Sequence, residues 1–224
     1  MTKLAPGGNI PPEIKALWSK NGWTKFMAEI FRYLHQHKAS PEQMLQVMTE
    51  LQFSPGMVEL LSGVDRDKTE TIIISDSNSV FIETILRHHK MQHLVNKVFT
   101  NPAEFNDKGQ LEISMYHVQD TCSLSTVNLC KGQVLESYIA ERASQNVDFT
   151  HVAYIGDGQN DFCPSLRLRE SDFVFPRHGY SLVKYIEKMK EKGLHIKANV
   201  HFWNSGLEIL DVLHQNIPYL RNEL

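Results

Sequence analysis

Cysteine is scarce in this chain. Its three cysteines among 224 residues, Cys122, Cys130 and Cys163, are odd in number and lack metal-ligand pairing, so a reducing, cytoplasmic setting is expected rather than a disulfide framework. No apolar run approaches the roughly eighteen residues of a membrane span. Lys and Arg total 23 against 26 Asp and Glu, for a net charge of −3, which gives no basic footprint for nucleic acid. The first eight residues, Met1 to Gly8, hold no apolar segment of the secretory type. Internal repeats and low-complexity stretches are also missing. What remains is a soluble chain, 42% hydrophobic, long enough for one core domain and a small accessory unit.

Residues 1 to about 52 read as helical. Trp23, Phe26, Met27, Ile30, Phe31 and Leu34 recur at three- and four-residue steps, which places them on one helix face. Ser40-Pro41-Glu42-Gln43 starts a further helix, with a hydroxyl cap, proline in the first turn and Gln43 positioned to close a capping box. Pro55-Gly56 introduces a short helix over Met57 to Leu61. From there strands and helices alternate: Thr71 to Ile74 as a strand, a helix through Val80 to Leu86, and turn-rich short strands over 99 to 120. A helix from Lys131 to about Ala143 follows, then strands at Val152 to Ile155, Phe173 to Phe175 and Val200 to Trp203, the last two separated by a helix around Leu182 to Lys192. That order predicts an α/β fold with a doubly wound parallel sheet.

Three stretches carry chemistry. His151 to Pro164, HVAYIGDGQNDFCP, breaks from an apolar strand into an acidic, glycine-bearing loop, placing Asp157 and Asp161 at a strand's carboxyl end, where open α/β sheets collect ligands. Two carboxylates so close repel unless a cation lies between them, and hard oxygen donors at such a place suit Mg²⁺ with retained waters and a substrate phosphate. An Asp-Gly hairpin would need an alternating strand after the turn, which Phe162-Cys163-Pro164 does not supply, and a dinucleotide fingerprint would need glycine where Asp161 stands. Ser75-Asp76-Ser77-Asn78-Ser79, between a strand and a helix, has the geometry of a phosphate cradle, with Ser77 or Ser79 as a plain helix cap the competing reading. Lys131 stands at a helix start, where the dipole disfavours a cation, and a nearby anion would resolve the conflict.

These stretches together resemble the haloacid dehalogenase-like phosphatases. More closely, APGG, SPGM, IIISDSNSVFI, VFTNP, NLCK, YIGDGQNDFCP, FPRHGY and WNSG, in this order over nearly the whole chain, resemble the phosphoethanolamine/phosphocholine phosphatase family, including its pyridoxal phosphate phosphatase branch. The resemblance implies a Rossmannoid core, a small helical cap over residues 1–52 and a phosphatase core over 53–224. It implies that Asp157 ligands Mg²⁺ and that Asp161 supports the metal's water shell. Ser75 would then hydrogen-bond the transferring phosphoryl group and Lys131 would neutralise its charge, with Asp76 and Asn78 beside the substrate. The partner is a small phosphorylated metabolite, with neither nucleic acid nor membrane.

The family opens with a strand ending in DxDxT, whose first Asp attacks phosphorus and whose second is general acid and base. Here no Asp precedes Asp65. Asp65 and Asp67 occupy a polar turn at the amino-terminal end of the following strand and cannot substitute. The expectation is a sequence truncated at an internal methionine, or a short form with a damaged site. Such a chain would be an inactive relative that still holds Mg²⁺ and phosphate, or that docks on a partner. The missing strand would lie between those ending at Ser75 and Ile155, leaving both with unpaired backbone groups.

Overall fold

A computed structural model describes residues 2–19 and 22–220. Along the described chain the main elements are α1 (Pro12–Lys15), α2 (Trp23–Gln36), α3 (Pro41–Thr49), α4 (Met57–Gly63), β1 (Ile72–Asn78), α5 (Ser79–His88), β2 (Lys97–Asn101), β3 (Ala103–Phe105) and β4 (Leu111–Ile113). There follow α6 (Lys131–Ser144), β5 (Ala153–Gly156), α7 (Phe162–Ser165), β6 (Phe173–Pro176), α8 (Ser181–Lys190), β7 (Asn199–Val200) and α9 (Gly206–Asn216). They form two compact units. One comprises Met1–Gln52, Ile72–Asp120 and Thr126–Leu129; the other comprises Phe53–Thr71, Thr121–Ser125 and Cys130–Leu224.

In the first unit the apolar stripe of α2 does what its spacing predicts. Ile30, Phe31 and Leu34 are buried with Met44 and Met48 of α3, Phe81 of α5 and Leu111 of β4, and the rings of Phe31 and Phe81 meet edge-on at 5.6 Å. Burying a side chain of this size contributes about 1.5–3 kcal/mol. The helical segment therefore shares its core with later elements instead of standing apart at residue 52. The capping box is formed: the Gln43 amide donates to Ser40 Oγ at 3.3 Å and the Ser40 amide to Gln43 Oε1 at 2.9 Å. β1 and β2 pair in parallel, with a register shift between Ser75 and Asn78. The turn-rich excursion is an antiparallel β3–β4 hairpin, turned by Gly109 at φ +78° and by Asn106, whose Oδ1 accepts from the amides of Lys108 and Gln110.

The second unit holds a parallel sheet in the order β5-β6-β7. All four residues of β6 are buried, the mark of a strand covered on both faces. On one side Phe173 and Phe175 pack with Leu60 of α4 and with Ile209 and Leu213 of α9. A second cluster joins Phe162 of α7 to Leu182 and Met189 of α8. The fold is thus mixed α/β with parallel strands and helices, as expected.

β5 departs from its sequence reading as a buried strand. Tyr154 is buried, but Ala153 is exposed and Ile155 is 36% exposed. Among the described residues β5 pairs with β6 alone, so it is an edge strand, and its alternate side chains fall on an uncovered face. β1 is half-buried over residues 72–77 and pairs with β2 alone among the described residues. No described helix is long and apolar enough to cross a membrane.

Candidate active site

The loop after β5 is organised around Asp161. Its carboxylate is 5% exposed and receives four hydrogen bonds. Lys131 Nζ and Tyr154 Oη donate to Oδ1 at 2.7 and 2.8 Å, and the amides of Asp157 and Gly158 donate to Oδ2 at 3.0 and 2.9 Å. Burial works against this charge. The Lys131 ammonium, with the loop amides and the tyrosine, outweighs burial and holds the carboxyl below its ordinary value. Gly156 makes room for it, since a Cβ there would stand 2.6 Å from the Asp161 Cγ. Neither Gly156 nor Gly158 takes a left-handed conformation, so close approach explains Gly156, and the turn does not.

Lys131 is the first residue of α6, after Cys130 as an N-cap whose side chain makes no capping hydrogen bond. The anion that reconciles it with the helix dipole is the chain's own Asp161. Asp157 has the opposite arrangement. Its amide donates to Asp161 and its carbonyl accepts from the Leu182 amide at 2.9 Å, so its backbone is pinned, while its side chain is exposed. The loop thus offers one open, firmly placed carboxylate beside a buried ion pair.

Ser75, Asp76 and Asn78 lie together on β1, in the other unit. Ser75 Oγ accepts from the Ser77 amide at 3.2 Å. Asn78 is buried and caps α5, its Oδ1 accepting from the Phe81 amide at 3.0 Å, so the cap is neither Ser77 nor Ser79. Ser79 instead ties α5 to β3 by bonds with both backbone groups of Ala103. The Asp76 carbonyl accepts from Trp23 Nε1 at 3.0 Å and from Asn101 Nδ2 at 2.9 Å. Asn128 Nδ2 in turn donates to Asn101 Oδ1 and Thr24 Oγ1. The amino-terminal end of α2 thereby meets the carboxyl ends of β1 and β2.

Tyr154, Asn101, Asn128 and the indole of Trp23 escaped the sequence reading as site-shaping groups. Tyr154 hides in an apolar run, although alternation places it opposite Ala153 and Ile155. Asn101 and Asn128 sit inside VFTNP and NLCK, whose apparent content is turn and helix start. The cysteines also need correcting, because their three sulfurs lie within 4.8 Å of one another despite a spacing that shows no ligand pair.

The string Asp65-Arg66-Asp67-Lys68-Thr69 spells DxDxT, but it follows α4 and not a strand. Asp65 accepts from the Asp67 amide at 3.0 Å and pairs with Lys68 at 2.9 Å. Lys68 also donates to the Tyr219 carbonyl at 3.1 Å, which ties this turn to the carboxyl-terminal segment.

Residues 1–217 match the protein family described as "Putative Phosphatase". The chain belongs to this family. The pyridoxal phosphate phosphatases of Bos taurus and Homo sapiens are each 39% identical to it over 215 residues, covering 95% of this chain and 89% of theirs. The phosphoethanolamine/phosphocholine phosphatase of Homo sapiens is 31% identical over 212 residues, covering 93% of this chain and 79% of its own. A solved structure of cytosolic 5′-nucleotidase IIIB bound to cytidine aligns over 98% of this chain and 69% of that one, with a TM-score of 0.48 and 14% identity. The family makes this chain a phosphomonoester hydrolase by descent.

Proposed function

We propose that the site serves Mg²⁺-dependent hydrolysis of a small phosphomonoester, either pyridoxal 5′-phosphate or phosphoethanolamine and phosphocholine. The observation that carries the reading is the contrast between the two acids of one loop. Asp161 is saturated by four donors, whereas Asp157 presents an exposed carboxylate on a fixed backbone. A single hard oxygen ligand of this kind fits Mg²⁺, which takes one or two carboxylates and fills its other positions with water and substrate phosphate. Mg²⁺ bound there would supply charge neutralisation to the phosphoryl group in transit. Asp161 acts one step removed, orienting Lys131 and the loop amides that support the metal's surroundings.

In this reading Lys131 offsets phosphoryl charge, and its contact with Asp161 keeps the ammonium placed while the site is empty of substrate. Ser75 donates its hydroxyl to a phosphoryl oxygen, with Asp76 and Asn78 shaping the same strand end. The helical segment 1–52 serves as the cap that excludes water and gates entry, an assignment supported by the Trp23 indole donating to the Asp76 carbonyl on β1. The substrate classes come from the relatives' names.

The test is phosphate release from both substrate types by the chain extended ahead of Met1 with the family's first strand. Mg²⁺-dependent release is expected, with loss of most of it in Asp157→Asn. Equal rates in EDTA would overturn the metal assignment.

A further inference from the structure

Cys122 lies in the loop ahead of α6, Cys130 is the residue that caps α6, and Cys163 is in α7. Their sulfurs converge within the second unit. Cys122 Sγ is 3.4 Å and Cys130 Sγ 3.7 Å from Cys163 Sγ, all three atoms fall within 4.8 Å of one another, and none is in a disulfide. Three thiolates sharing a tetrahedral Zn²⁺, each about 2.3 Å from the metal, stand about 3.8 Å apart. The observed spacing is close to that without movement of the backbone.

Buried cysteines often serve as small apolar side chains, but this pocket is not apolar. The Ser125 hydroxyl sits between two of the sulfurs, 3.5 Å from Cys122 Sγ and 3.2 Å from Cys130 Sγ. Arg167 Nη2 approaches Cys130 Sγ at 4.0 Å. Gly132 gives way to the cluster, because a Cβ there would stand 2.7 Å from Cys163 Sγ and 2.4 Å from Arg167 Nε. Three thiolates on a divalent cation carry one net negative charge, and a hydroxyl and the guanidinium of Arg167, which also pairs with Glu136, lie around the three sulfurs.

We propose that Cys122, Cys130 and Cys163 form a binding site for a thiophilic divalent cation of the Zn²⁺ class, with the Ser125 hydroxyl or a water as fourth ligand. The site is structural in kind. Cys130 precedes Lys131, and Cys163 follows Asp161 by two residues, so the metal staples the start of α6 to the loop after β5 and braces the Lys131–Asp161 pair from behind. It is separate from the carboxylate of Asp157 and draws on different ligand chemistry, soft sulfur in place of hard oxygen.

The test loads the reduced, metal-stripped chain with Co²⁺ as a spectroscopic probe, then displaces it with Zn²⁺. Thiolate-to-cobalt charge transfer in the near ultraviolet and tetrahedral ligand-field bands in the visible are expected, at one metal per chain. Asp157→Asn should leave both sets of bands unchanged, which separates this site from the proposed Mg²⁺ site. Cys122→Ser alters the only half-buried cysteine of the three and should weaken binding at least about tenfold, and Ser125→Cys, by completing a four-thiolate set, should tighten it. Absence of charge transfer, or affinity unmoved in both variants, would overturn the proposal.

Discussion

At the scale of single residues, the pair Lys131 and Asp161 is asymmetric, and the asymmetry decides what each substitution costs. Asp161 keeps three donors when the lysine is removed. Lys131, 11% exposed, loses the carboxylate that its ammonium faces when the aspartate is removed. Asp161→Asn should therefore destabilise the fold by about 3 kcal/mol, as expected when one partner of a buried pair is lost, and Lys131→Met by clearly less. Urea titrations of both variants check this, and equal losses would contradict it. The pH dependence follows from the same contacts. Because the folded carboxyl titrates below its ordinary value, its contribution is complete above the unfolded carboxylate range and is lost as pH falls below it. Wild type should lose stability on acidification more steeply than Asp161→Asn.

At the scale of elements, most boundaries could be read because local chemistry and packing agree. The stripe of α2, the Ser40–Gln43 capping box, the 106–109 turn and the fully buried β6 all obey their sequence signals. β5 did not, because an apolar run tells of a strand but not of how many neighbours it has. Nor could the cap of α5 be assigned, since Ser77 and Ser79 are competent caps as well as Asn78, whose side chain makes the bond. The cysteine cluster could not be read from residue spacing, for a different reason. Its members come from three segments, and no spacing along the chain encodes a meeting made by the packing of α6 against α7. One element contact invites measurement. Asp172, 1% exposed, precedes β6 and accepts from the Val152 amide at 2.9 Å and from the Arg169 amide and Nε at 2.7 and 3.0 Å. It fastens the entry of β5 to that of β6. Asp172→Ala leaves buried donors unmet and should cost about 2–3 kcal/mol by chemical denaturation, where hydrogen bonds to a charged group are worth about 1.5–3. Arg169→Ala, at a side chain 55% exposed, should cost under half as much.

At the scale of the whole molecule, the acidic loop, the lysine and the serine are present, while the group that attacks phosphorus is not identified among the described residues. The one DxDxT string is spent in a turn in which Asp65 binds Lys68 and the Asp67 amide. Within the second unit, β5 has one strand neighbour among the described residues. The proposed chemistry calls for a carboxylate nucleophile held in line with the leaving oxygen. Aligned attack by such a group accounts for about 7–11 kcal/mol of barrier lowering in favourable cases. The charge neutralisation proposed for Mg²⁺ and Lys131 would not replace it, because neither forms a bond to phosphorus. Residues 1–224 alone should therefore hydrolyse pyridoxal 5′-phosphate and phosphoethanolamine no faster than their own Asp157→Asn variant in excess Mg²⁺. Added as a separate peptide, the family's first strand should restore turnover. Vigorous turnover by residues 1–224 without it, lost in Asp157→Asn, would mean that a side chain already present attacks phosphorus and that the reading of the Asp65 turn is wrong.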